Sequence, residues 1–588
     1  MYGTKIGVVI GHKEVYGTKG YTLNALIDAL KAYDQLAVNV ILSTIVLLVS
    51  HEETRQGGFP RHISILSYFL APDAIQRAES YFDSHQDGAN QALIHDQIIL
   101  ALMKLNNEHN QQGGKNLQGE HDRHEFGRII LSMNAIWLDM KTVKPHGRQG
   151  GSKGLKESLR ALQAIQFLTV GGSDPVLNLL VRGNYFIEEI SKDNRIDFAR
   201  IFEESTGIEL KNYVDLVFTI SLGWTVVELD KISENIFKDI STYFLNTNIP
   251  KQQLDKFIDL VSFDADNFKE LNQDYLTQIG LKYDSLYSHI VFLLKPLSIN
   301  QNRLICMNPY FVSNLLTEGA YNIVREAVKG RNKEQLLPEI WGDVFEKYID
   351  LIFSETFGKR YYKSVLNPQG EKSIDGIIEL SNAVLLIETK YPHWSYEARI
   401  TGKRDAVKSF VLKFARYKPY KDKPGGKVRN KKKGFGQIKQ FIENYQSGDY
   451  GDKYKFKGKK LIPVVVLGES FPFDPLNIEL MMNHIEDQRC LLRCDGVGYP
   501  IVIGAEEVEM IQSLIEANGV QAFEDVFLQY SEEVDQAYKN RTPYFTRPTS
   551  FKNAVYRAGL SFQNSSYITK RFDDITDRIE NLLKPKDL

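Results

Sequence analysis

The chain of 588 residues is 43% hydrophobic and 25% charged, a balance that excludes a disordered or fibrous protein and leaves room for roughly two to four domains. A formal net charge of -2 means that any affinity for nucleic acid or membrane must come from a local patch. Three cysteines, Cys306, Cys490 and Cys494, are too few for a disulfide framework, so a reducing, cytoplasmic setting is expected.

From the start, MYGTKIGVVIGHKEVYG lacks the basic opening and long apolar stretch of a signal peptide. The run LAVNVILSTIVLLVS, interrupted by Asn39, falls short of the ~20 residues that span a bilayer and reads as a buried core element, so no membrane partner is expected. Apolar residues at helical spacing in NQALIHDQIILALMKLNNEH and LDKFIDLVSF make residues 1–330 a large, mostly helical region. Residues 106–122 and 145–154, rich in glycine and polar side chains, read as exposed loops. The histidine-rich stretch His121–Glu125 and the pair His95 and Asp96 bring no third ligand with them, and read as a polar loop and a solvated helix face. No phosphate loop of the G-x4-GK[ST] kind is present. Residues 331–515 change to α/β texture: an amphipathic helix, a hairpin, a basic insertion, a helix and the strand-like LIPVVVLG. Cys490 and Cys494, spaced C-x3-C without a second pair, read as buried thiols within it. Residues 516–588 return to helix as a short tail. The fold class expected is therefore multidomain, α and α/β.

The hairpin holds the chemistry. In IDGIIELSNAVLLIETKYPHW, a tight turn at Ser381 and Asn382 pairs Leu380 with Ala383, and the same register carried outward sets Asp375 opposite Glu388. Two carboxylates facing each other among Ile374, Ile377, Leu386 and Ile387 need a positive charge between them. Lys390 on the same face is one candidate, and a divalent metal held by both carboxylates is the other. A cross-strand ion pair on a solvated face is the plainer reading.

An acidic residue in the first strand, a tight turn and an apolar strand ending in E-x-K resemble the PD-(D/E)xK nuclease superfamily, with Asp375, Glu388 and Lys390 at its motif positions. Ile374 stands where that family often has proline. The preceding helix, PEIWGDVFEKYIDLIF, aligns Trp341, Val344, Phe345, Tyr348, Ile349 and Ile352 in one stripe. Its GDVFE is similar to the family's G-x-x-F-E pattern, which implies that Glu346 leans toward the site. The later GFGQIKQFIENY resembles the helix whose glutamine faces the site; Gln437 is the first choice, Gln440 the second, with Tyr445 as a companion. The resemblance covers about 330–515 and implies a restriction-endonuclease-like core that hydrolyses phosphodiesters with Mg2+ or Mn2+. Asp375, Glu388 and the Thr389 carbonyl would hold the metal, Glu346 would reach a second metal or a metal-bound water, and Lys390 would orient or help deprotonate the attacking water.

Between hairpin and helix lies the local patch: residues 403–433 hold thirteen lysines and arginines against two aspartates, interleaved with Phe410, Phe414, Tyr417 and Tyr420. Lys403, Arg404, Lys427, Arg429, Lys431, Lys432 and Lys433 are the candidate phosphate contacts of a substrate-facing loop. The expectation is a cytoplasmic nuclease acting on nucleic acid, DNA first. The arrangement looks like that of prokaryotic anti-phage defence or restriction nucleases, with self-association or defence proteins as further partners. The alternatives are a repair, recombination or transposition nuclease, and a catalytically silent nucleic-acid-binding protein on the same fold.

Overall fold

The computed structural model describes residues 8–50, 60–84, 91–138, 176–225, 231, 235–245, 247–281, 288–331, 333–363, 365, 373–393, 404–415, 417–421, 428–432, 434–468, 496–539, 550–560 and 564–583. The chain divides into two compact units. One is built from Lys5–Val170, Asp197–Lys329 and Ile575–Leu588; the other takes Gly171–Ile196 and Gly330–Asp574. The second unit's long segment begins at Gly330, and the unit also takes in residues 171–196 and most of the C-terminal helical stretch.

In the first unit the apolar run is the helix Gln35–Ser50, packed against the helix Asp96–His109. No described helix is long and apolar enough to cross a membrane. Between these two helices the polar residues satisfy one another, Asn39 donating to Asn107 (2.8 Å) and Asn106 to Asn39 (2.9 Å), and just beyond them Asn110 donates to the Leu30 and Tyr33 carbonyls (2.9 and 3.0 Å). Pairing of this kind removes most of the cost of burying amides. The exposed loop expected over 106–122 is found over residues 111–119, where Leu117 alone is buried, while its two ends are not loop. Asn106 to His109 finish one helix, Glu120 opens the next, and Asn106, Asn107 and Asn110 are buried. Residues 145–154 lie outside the described residues. The helical reading of this region also missed a four-stranded sheet, in spatial order Phe237–Asp239, Arg303–Cys306, Leu297–Asn300 and Ser262–Asp264. Strands of three or four residues are too short for an alternating pattern to stand out from their surroundings.

The second unit holds helix α1 (Val176–Ile190), helix α2 (Leu336–Tyr361), strands β1 (Tyr362–Lys363), β2 (Gly376–Glu379) and β3 (Ala383–Lys390), and helix α3 (Arg404–Ala415). Strands β4 (Tyr417–Lys421) and β5 (Val428–Lys432), helix α4 (Phe435–Gln446), strands β6 (Lys460–Leu467) and β7 (Ile501–Gly504), and helices α5 (Ala505–Lys539) and α6 (Phe551–Arg557) follow. One mixed sheet runs β7-β6-β3-β2-β1; β1, β2 and β3 pair antiparallel, and β3, β6 and β7 parallel. Helix α2 packs on β1, β2 and β3, α4 on β3 and β6, and α5 on β6 and β7.

The stripe of α2 is its core face, as expected: Trp341, Val344, Phe345, Tyr348, Ile349 and Ile352 are all buried. Inside this unit Glu509 of α5 accepts from Arg182 Nε and Nη2 (2.9 and 3.0 Å), from Asn178 (2.9 Å) and from Tyr348 Oη (2.7 Å). A buried ion pair needs such extra hydrogen bonds to offset desolvation, and here they fasten α1, α2 and α5 together.

Candidate active site

The hairpin forms because two apolar, β-branched runs flank a polar dipeptide. Gly376 pairs with Ile387, Ile377 with Leu386, Ile378 with Leu385 and Glu379 with Val384. The Leu380 amide donates to the Ala383 carbonyl (2.9 Å), so the turn falls at Ser381 and Asn382. Turn and register are those expected.

The register breaks at Asp375. Its amide donates to the Ile387 carbonyl (3.1 Å), although Gly376 already stands across from Ile387. Two consecutive residues therefore meet one, as in a β-bulge, and Asp375 is turned away from the position squarely opposite Glu388. Gly376 makes the bend compatible with its neighbours, since a Cβ there would lie 2.4 Å from the Tyr362 ring. Turned this way, Asp375 Oδ2 accepts from both the amide and the hydroxyl of Thr389, each at 2.6 Å.

Glu388 is completely buried, and the positive charge that its position demands is Lys390. The ammonium bonds Glu388 Oε1 and donates to the Thr389 carbonyl (2.8 Å). Burial pulls the Lys390 pKa down, but attraction to Glu388, and next to Asp375, outweighs it and holds the pKa above its ordinary value. Lys390 is therefore a cation at neutral pH, fixed on the carboxylate and carbonyl oxygens at the C-terminal end of β3.

The other predicted residues are placed as follows. Glu346 is half-buried on α2. Among the described residues no three His, Cys, Asp or Glu side chains come together to hold a metal ion, so Glu346 does not join Asp375 and Glu388 in one such group. Gln437 is half-buried in the first turn of α4. Gln440 donates to Asn444 (2.7 Å), and Tyr445 Oη accepts from the Phe456 amide (3.2 Å), which ties that ring to the turn after α4. Of the basic candidates, Arg404 opens α3, and Arg429, Lys431 and Lys432 lie in β5. Lys403, Lys427 and Lys433 lie outside the described residues, as do Cys490 and Cys494; Cys306 is buried. The stretch read as one basic loop thus contains a helix and a pair of antiparallel strands. His121 to Glu125 belong to the helix Glu120–Leu138, where Glu125 accepts from Tyr21 Oη.

Two supports of the site had no local signal in the sequence. Glu524 of α5, buried, accepts from the Ser381 and Asn382 amides (3.1 and 2.5 Å) and clamps the hairpin turn. Lys413 of α3 donates to the His393 carbonyl (2.7 Å), three residues beyond Lys390.

Comparison with protein-family models, with curated proteins and with solved structures finds no significant match.

Proposed function

We propose that the unit holding β1 to β3 is a metal-dependent nuclease that hydrolyses phosphodiester bonds, with DNA as its substrate and Asp375, Glu388 and Lys390 at its centre. The observation that carries this reading is the seat of the Lys390 ammonium, a cation held by the Glu388 carboxylate and the Thr389 carbonyl with the Asp375 carboxylate beside them. The order of helix, antiparallel strands, helix and parallel strand supports it as well.

The donor set suits a hard divalent ion. Mg2+ binds through one or two carboxylates, keeps several waters and shares substrate phosphate oxygens, so a cage of three acidic side chains is not required. Asp375, Glu388 and the Thr389 carbonyl would hold Mg2+ or Mn2+. Such an ion supplies Lewis-acid charge stabilisation and a more acidic water. The chain's own residues do the rest. Thr389 fixes the Asp375 carboxylate through two hydrogen bonds, and the buried sheet keeps Glu388 in place. Lys390, being protonated, offers positive charge and a donor to a water or a phosphate oxygen. A half-buried Gln437 at the start of α4 is positioned on the helix that packs over β3. A defence or restriction role belongs to the same proposal and rests on the sequence resemblance alone.

The test is incubation of the purified protein with plasmid, linear and single-stranded DNA and with RNA, in Mg2+, in Mn2+ and in EDTA. Cleavage that needs the metal and disappears in Glu388→Ala is expected. No cleavage of any substrate, or cleavage by Glu388→Ala at the wild-type rate, would overturn the reading.

A further inference from the structure

The basic insertion forms a ribbon. Strands β4 and β5 pair antiparallel over five residues each: Tyr417 with Lys432, Lys418 with Lys431, Pro419 with Asn430, Tyr420 with Arg429 and Lys421 with Val428. Among the described residues they form a two-stranded sheet of their own, joined to neither larger sheet. Ten paired positions carry five cations, Lys418, Lys421, Arg429, Lys431 and Lys432, and no acid. Register places positions 418, 420, 429 and 431 on one face of the ribbon.

Taken alone, this is a poor way to build a hairpin. Two-stranded sheets are marginal in water, lysines and arginines add little β-propensity, and Lys418 directly across from Lys431 is destabilising. A polyanion lying against the ribbon would reverse the sign of the last term. The roots of the ribbon are nevertheless fixed. Gly434, with φ 51°, lies so close to the end of α3 that a Cβ would come within 1.7 Å of the Phe414 carbonyl oxygen. On one side α3 is tied to the exit of β3 through Lys413 and His393, and on the other α4 packs on β3. A structure built to carry charge is thus rooted beside the strand that ends in Glu388 and Lys390.

We infer that β4 and β5 form a ribbon that enters the major groove of B-form duplex DNA and presents that duplex to the candidate active site. The inference rests on the nuclease reading for the purpose of the docking and on the register for its geometry. Five residues span about 14 Å at the usual strand rise, and a major groove about 12 Å wide accepts a two-stranded ribbon. The major groove of A-form RNA is too deep and narrow to accept one. Single strands would instead be held by stacking on Tyr417 and Tyr420, which the experiment separates from groove docking.

Binding is measured in EDTA, where no cleavage interferes, to a duplex DNA, to the same sequence as duplex RNA and to single-stranded DNA, across a salt series. The full chain is compared with Lys418→Gln/Arg429→Gln/Lys431→Gln and with Lys418→Arg/Lys431→Arg, which keeps the charge. Duplex DNA is expected to bind at least tenfold tighter than the other two. The triple variant should lose at least tenfold in affinity and about two to three units of salt slope, at about 0.9 per lost phosphate contact, while the arginine variant binds as wild type. Glucosylated 5-hydroxymethylcytosine, which fills the major groove, should weaken binding, whereas a minor-groove ligand should not compete. Equal affinity for RNA or single strands, an unchanged slope in the triple variant, or indifference to major-groove glucose would each overturn the inference. Wild-type protein that docks by the ribbon but never cleaves would overturn the nuclease reading and leave this one standing. Cleavage with ribbon-independent binding would do the opposite.

Discussion

Lys390 and Glu388 form an ion pair at the C-terminal end of β3, with the lysine side chain 19% exposed and the carboxylate completely buried. The pair is asymmetric. A lysine freed of its partner can swing toward water, but a buried glutamate cannot.

Substituting Lys390→Met, which keeps most of the unbranched stem but not the ammonium, therefore leaves a buried charge uncompensated. We expect a loss of about 3–5 kcal/mol in the unit that contains β3, the usual cost of removing one partner of a buried pair. Glu388→Gln should cost less, because the remaining charge can solvate. If the seat of the ammonium accepts a divalent ion, Mg2+ should raise the melting temperature of Lys390→Met by more than that of wild type, since the ion no longer competes with the lysine. Thermal melts in EDTA and in Mg2+ check both points. A variant that melts as wild type does, or that ignores Mg2+, would remove the cation seat from the account.

Glu524 supports a second prediction. Its buried carboxylate accepts the amides of Ser381 and Asn382, both exposed residues, so Glu524→Ala removes two charge-assisted hydrogen bonds but leaves the amides open to water, at a cost of about 1–2 kcal/mol. Glu524→Gln keeps one acceptor oxygen and should lose roughly half as much. The turn sets the register that places Glu388 and Lys390, so amide exchange at 381 and 382 should quicken in step with the loss of stability. Wild-type exchange in Glu524→Ala would mean the turn holds itself.

How far the sequence reached follows from what each feature depends on. The hairpin was legible because alternation and a polar dipeptide are local, and the buried stripe of α2 because 3.6-residue spacing is local as well. The bulge at Asp375 was not, since the groups that hold its carboxylate belong to Thr389 on the next strand, and the Tyr362 ring that leaves no room for a Cβ at Gly376 comes from a third. Glu524 reaches the turn from 142 residues away, and Arg182 reaches Glu509 from 327 away; neither leaves a trace in its own neighbourhood. The ribbon was hidden for another reason. Its strands carry lysine where a hydrophobic alternation would ordinarily announce them.

The last prediction concerns pH and Glu506, in the first turn of α5. Its carboxylate folds back over Gly504, where a Cβ would lie 2.3 Å from Oε2. Burial first, and the neighbouring Glu507 second, push its pKa up to about 7, against the opposing pull of Arg182 and Lys552. Glu507, which accepts from the Gly504 and Lys552 amides (both 3.0 Å), is raised as well, chiefly by burial. Between the ordinary glutamate value and about 7 the folded chain holds a proton that the unfolded chain has released, so stability falls as pH rises through that window and stays low above it. Glu506→Gln removes this dependence. We expect the variant to gain up to about 3 kcal/mol over wild type at pH 8 and little at pH 5, with the remaining slope belonging to Glu507. Because the chain has two compact units, the effect should be read on the unit holding α5, through exchange of the Ile501–Gly504 amides in urea at pH 5, 6, 7 and 8. Parallel curves for the two proteins would show that Glu506 is already ionised in the folded chain at neutral pH, and that Arg182 and Lys552 outweigh its burial.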